Sequence, residues 1–121
     1  SLITASSGTS NLAKLNEWPE AAQICIGRGT VERLGVKQSD NIGVFAPMAG
    51  AAGILAWVMS GSMPCTYTFP SSYNPQKILQ LCEERRITIA STVPVILARI
   101  AQTALDSFDL SSFFKWSRIR I

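Results

Sequence analysis

Apolar and polar positions along this chain alternate between two textures. Four short runs, LITAS (2–6), NIGVFA (41–46), PCTYTF (64–69) and ITIAST (87–92), have the length and residue types of β-strands. Between them lie helix-length segments at 19–34, 49–61, 74–86 and 94–105. The 74–86 segment is the most explicit. Asn74 is placed to cap it, Pro75 suits its first position, and Ile78, Leu81 and Cys82 recur on one face. Arg85 and Arg86 then fall at the negative end of its dipole. Pro19 suits a first helical turn, and Gly61 a helix end. RIRI (118–121) reads as a strand beginning. Strand–helix alternation with apolar strands predicts an α/β fold: a mostly parallel sheet, helices on both faces, and the strands near 42–46, 64–69 and 87–92 as neighbours.

No charge occurs between Asp40 and Lys77, and residues 42–63 are long enough to cross a bilayer. Pro47 and four glycines interrupt that run, and much of the rest is Ala or Ser, which insert weakly. A buried strand, a turn at Pro47 and a buried helix account for it without a membrane span, and place Trp57 in the core.

Composition narrows the classes further. Only 16% of the 121 residues are charged, against about 25% in typical domains. So little charge suits a core-heavy chain or a piece of a larger domain. The net charge of +3 contains no block of like charges, so no nucleic-acid partner is expected. There is no histidine, which removes Ser-His-Asp and Cys-His nucleophile systems. Cys25, Cys65 and Cys82 form no CxxC pair, so no metal site is expected. An odd cysteine count with no signal peptide points to a reducing, cytoplasmic compartment and to cysteines acting as small buried hydrophobes.

The candidate chemistry lies in TASSGTSNLAK (4–14). Hydroxyl residues surround Gly8 and a lysine follows. Such a stretch builds no core, but it can turn backbone N–H groups and hydroxyls toward an anion. It follows a strand, and in parallel sheets ligands sit beyond the strands' carboxyl ends. It is not a Walker loop, since the second glycine and the final hydroxyl of that motif are absent.

SSGTSNLAK resembles the phosphate loop of the adenylate-forming enzymes, the superfamily of acyl- and aryl-CoA synthetases, peptide-synthetase adenylation domains and luciferases. Ser6, Ser7, Gly8, Thr9, Ser10 and Lys14 match that motif, while Asn11 replaces its second glycine and Ala13 its proline. PMAGAAG (47–53) is similar to the family's P-L-F-H-x-x-G, with Pro47 and Gly53 kept and Gly50 in place of histidine. The run from Tyr73 to Ile100, centred on Thr92-Val93-Pro94, and DLSS (109–112) continue the match in order. ASSGT (5–9) is closest to the phenylacetate–CoA ligase branch.

The resemblance implies that residues 1–121 are a central slice of a larger AMP-binding N-terminal domain, the phosphate loop occupying about 4–14. It implies a ligase that joins a small-molecule carboxylic acid to ATP, with Mg²⁺, and passes the acyl group to a thiol such as coenzyme A. Ser6, Ser7, Gly8, Thr9, Ser10 and Lys14 would hold the ATP phosphates, and no catalytic residue lies within the slice. The helix from Ala49 would border the acyl pocket, with Gly50 and Gly53 leaving room there; close packing by small residues is the other reading of the same two glycines. The return arm, LNEWPEA (15–21), has little β character and is expected to be short or irregular. Asn11, Ala13 and the missing histidine keep open a second class: a nucleotide-binding or interaction module that retains the fold without the chemistry.

Overall fold

The computed structural model describes residues 1–6, 12–103 and 105–113. Strand β1 (Leu2–Ser6) pairs antiparallel with β2 (Lys14–Trp18). Helix α1 (Glu20–Leu34) follows, then β3 (Asn41–Phe45), α2 (Ala51–Ser60), β4 (Thr66–Thr68), α3 (Pro75–Glu84), β5 (Ile89–Thr92) and α4 (Pro94–Ala101). A 3₁₀ turn covers Leu105–Ser107. The RIRI segment lies outside the described residues.

The parallel sheet runs β4-β3-β5, so the three strands expected to be neighbours are neighbours. β3 is the middle strand and is buried from Ile42 to Phe45. Its alternation divides the core in two. Ile42 and Val44 point to one side and meet Val31 of α1 with Ala56 and Met59 of α2. Phe45 points to the other and meets Ile78, Leu79 and Cys82 of α3 with Ile96 and Ile100 of α4. Two covered faces explain why β3 reads as a continuous apolar run. Gly43 makes the second face possible: a Cβ there would lie 2.4 Å from Cζ of the Phe45 ring, which folds back over it.

Local signals act as expected in α3. The Asn74 side chain accepts hydrogen bonds from the Gln76 and Lys77 amides, at 3.0 and 3.4 Å. Pro19 and Gly50 stand just outside α1 and α2 as their N-terminal flanking residues. The apolar run of 42–63 divides into β3, a turn and α2, and among the described residues no helix is long and apolar enough to cross a membrane.

Four expectations are corrected. The return arm is a full strand: Lys14–Trp18 pairs with β1 along its whole length, because ladder hydrogen bonds override the weak propensity of Asn16 and Glu17. β1 belongs to this separate hairpin and not to the parallel sheet, so the rule placing ligands beyond parallel strands does not locate the loop. Trp57 is 53% exposed, because the face of α2 turned to the sheet carries Ala56 and Met59. Cys25 is exposed on α1, Cys65 is half-buried, and only Cys82 is buried.

Candidate functional site

The hairpin register pairs Ser6 with Lys14, Ala5 with Leu15, Thr4 with Asn16, Ile3 with Glu17 and Leu2 with Trp18. Residues 7–13 therefore join two strand ends held side by side. Of the six residues assigned to phosphate, the structure brings Ser6 and Lys14 together at the base of the connection. Ser7, Gly8, Thr9 and Ser10, with Asn11, lie outside the described residues.

Cross-strand partners share a face. Lys14 falls on the face of Leu2, Thr4 and Trp18, which are half-buried. The opposite face presents Ile3 and Leu15, 65% and 71% exposed, with Ala5 and Glu17. The hairpin runs directly into α1. Pro19, extended at φ −58° and ψ 145°, makes the corner, and its carbonyl accepts the Gln23 amide at 3.1 Å. The Gln23 side-chain amide donates back to the Trp18 carbonyl at 2.8 Å.

A second cluster lies at the carboxyl end of the parallel sheet. The turn after β3 closes with the Gly50 amide on the Pro47 carbonyl at 2.9 Å. Ser91 donates to the Ala52 carbonyl at 3.2 Å and Thr92 to the Phe45 carbonyl at 3.1 Å, which fix the start of α2 and the end of β5 to that edge. Gly53 is buried against the turn: a Cβ there would lie 2.5 Å from both Met48 Cα and the Pro47 carbonyl oxygen. Close packing of backbone on backbone thus accounts for Gly53. At half-buried Gly50 a Cβ would stand 3.3 Å from the Pro47 oxygen. Met48, Phe69 and Val95 follow the ends of β3, β4 and β5, and all three are exposed. Parallel strands end on one edge, so these apolar side chains, which no sequence signal groups, belong to the same end of the sheet.

At the other end of the strands lies a polar network that the sequence did not reveal. Buried Asp40 accepts the Lys37 amide at 2.7 Å and the Thr88 hydroxyl at 2.8 Å. Asn41 accepts from the Thr68 hydroxyl at 2.8 Å and donates to the Arg85 carbonyl at 2.6 Å. These bonds join β3, β4 and the α3–β5 connection at the end of the sheet opposite Met48, Phe69 and Val95.

Burial disfavours the thiolates of Cys82 and Cys65. Burial pushes the Cys82 thiol up to about 12. Burial also raises Cys65, an effect partly offset by its hydrogen bond with Tyr67, whose phenol is raised in turn by burial and by that same bond. Neither group ionises near neutral pH. Among the described residues no cluster of His, Cys, Asp or Glu is arranged to hold a metal ion. A groove of about 410 Å³ runs between α1 and α2, with Glu20, Ile24, Arg28 and Trp57 among its walls.

No protein-family model matches the chain, and no curated protein matches it. Solved structures do. The N-terminal domain of FACL13 from Mycobacterium tuberculosis, solved with an inhibitor bound, superposes with a TM-score of 0.77 at 21% identity, covering 92% of this chain and 28% of that one. The luciferase-like enzyme of the nonluminescent mealworm Zophobas morio gives a TM-score of 0.69 at 22% identity, covering 91% of this chain and 26% of that one. The chain thus spans little more than a quarter of each, and it has the α/β fold of that part of them.

Proposed function

We propose that this chain is the phosphate-binding portion of an ATP-dependent, carboxylate-activating ligase of the adenylate-forming superfamily. Its product would be an acyl-adenylate, then a thioester, with coenzyme A as the acceptor thiol and an aromatic or acyl acid as substrate; the loop sequence favours the phenylacetate–CoA ligase branch. The observation that supports the reading is the Ser6–Lys14 pairing, which sets two residues of the motif side by side, on a fold shared with a luciferase-like enzyme. Coverage of about a quarter of both neighbours supports reading residues 1–121 as part of one larger domain.

The donor set fits a triphosphate. Residues 1–16 offer hydroxyls, backbone amides around Gly8 and the Lys14 ammonium, with no Asp or Glu among them. Glycine lets the backbone approach phosphate oxygens, hydroxyls donate to them, and lysine adds a point charge. With no carboxylate in the loop, Mg²⁺ would be held by the phosphate oxygens and by residues outside it. ATP supplies the activated phosphorus when bound; these residues bind and orient its terminal phosphates, leaving the α-phosphate open to the incoming carboxylate. Gly50, beside the apolar edge of Met48, Phe69 and Val95, is the position offered to the acyl group, with Gly53 holding the turn behind it. The free cysteines agree with a reducing, cytoplasmic setting.

The test is ATP–pyrophosphate exchange by the full-length protein with a panel of aryl and fatty acids. Acid-dependent exchange that Gly8→Val abolishes is the expected result, since a β-branched side chain obstructs the backbone approach. The isolated 121-residue chain should give no exchange, because loss of several preorganised groups costs far more than the roughly hundredfold of one. ATP binding without exchange for any acid would establish the non-catalytic module instead.

A further inference from the structure

We propose that the groove between α1 and α2 is the face through which two copies of this chain pair about a two-fold axis at Ile24. α1 turns Gly27 and Val31 inward. Gly27 lies so close to α2 that a Cβ there would stand 2.6 Å from the Val58 carbonyl oxygen. The groove lies beside that contact, and its walls carry Ile24 and Trp57, 47% and 53% exposed. Burying them against a second protein surface is favourable, and a tryptophan is the kind of side chain on which association energy concentrates. The flanking charges select that surface. Glu20 and Arg28 line the same groove, both exposed, each four residues from Ile24 in opposite directions along the helix. Four residues of helix rise about 6 Å, so the two stand about 12 Å apart along α1, beyond the spacing at which helix neighbours pair. Among the described residues neither has an ion-pair partner. An acid–Ile–base stripe with equal spacing is its own complement when reversed. An antiparallel second copy of α1 sets Ile24 on Ile24, Glu20 beside Arg28 of the second copy, and Arg28 beside its Glu20. The i, i+4 ridge these residues form is the one by which helices commonly interdigitate, at about 50°. A two-fold axis makes the two ion pairs equivalent, and the contact is apolar at its centre and charged at its rim. None of these residues is assigned to ATP or to the acid, so the pairing is independent of the ligase reading.

The test is the association state of the full-length protein, measured by sedimentation velocity across a concentration series. Wild type should form a dimer. Ile24→Glu should give a monomer with an unchanged melting temperature, because Ile24 is exposed in the single chain. Glu20→Arg and Arg28→Glu should each raise the dimer dissociation constant about tenfold, since each turns two attractive pairs into repulsive ones. The double variant Glu20→Arg/Arg28→Glu should return it close to wild type. Only reciprocal pairing between copies does this, the two positions being out of reach of each other within one helix. A wild type that is monomeric at every concentration overturns the proposal. If Trp57 is then shielded from acrylamide quenching, judged against Trp57→Phe, another part of the same polypeptide covers the groove; if it is quenched freely, the groove receives no second copy. A dimer that Ile24→Glu leaves intact, or that the double variant fails to restore, overturns the proposal equally.

Discussion

Ser6 and Lys14 are direct partners across the β1–β2 hairpin, so the two ends of residues 7–13 are fixed beside each other by strand pairing. The lysine stands exposed at a defined position at the foot of the connection, on the face that also carries Leu2, Thr4 and Trp18.

Removing that cation should weaken nucleotide binding more than it slows turnover. In the full-length protein, Lys14→Ala is expected to raise KM for ATP roughly tenfold or more, the scale of one charge-assisted hydrogen bond. The difference from wild type should shrink as salt rises, because the site is exposed and screened. Pyrophosphate-exchange kinetics at two ionic strengths measure both effects; a KM equal to wild type at low salt removes Lys14 from the phosphate site.

Gly53 is a packing glycine. Gly53→Ala forces a methyl group against the Pro47–Met48 backbone, and overpacking of this kind costs about 1–3 kcal/mol. Urea denaturation should show the midpoint falling with an unchanged slope. If the variant is as stable as wild type, the turn yields easily and the close-packing account is wrong.

Asp40 ties the start of β3 to two other segments. Asp40→Ala leaves the Lys37 amide and the Thr88 hydroxyl without this partner, at a cost of about 2–3 kcal/mol. Thr88→Val should cost less, since it removes the hydroxyl along with the need to satisfy it. Thermal melts of the two variants supply the comparison.

The cysteines should label in order of exposure. Iodoacetamide is expected to modify Cys25 first, Cys65 more slowly, and Cys82 only after unfolding. Cys82 also makes stability depend on pH. Its folded pKa of about 12 lies above the ordinary thiol value of 9.0, so its contribution is complete below pH 9.0 and is lost as pH rises toward 12. Denaturation midpoints should fall over that window, and Cys82→Ala should flatten the fall. A native protein whose Cys82 labels as fast as Cys25 contradicts the burial.

What the sequence determined by itself was whatever is governed by neighbours along the chain. Asn74-Pro75 starts α3 because the cap and the proline act within one turn. NIGVFA is a strand buried on both faces because no polar residue interrupts it after Asn41. The order of strands and helices implied that the strands near 42–46, 64–69 and 87–92 would be parallel neighbours, as β3, β4 and β5 are. The tertiary structure decided what depends on partners distant in sequence. β2 exists because β1 supplies its ladder, against the preferences of Asn16 and Glu17. Trp57 is exposed because smaller residues on the same helix occupy the contact with the sheet. Gly53 meets the Pro47–Met48 turn so closely that a Cβ would not fit. Asp40 and Thr88, 48 positions apart, meet only because β3 and β5 pair in register. The Gln23–Trp18 bond likewise depends on the corner at Pro19, since hydrophobic periodicity carries no record of which side-chain amide reaches which carbonyl.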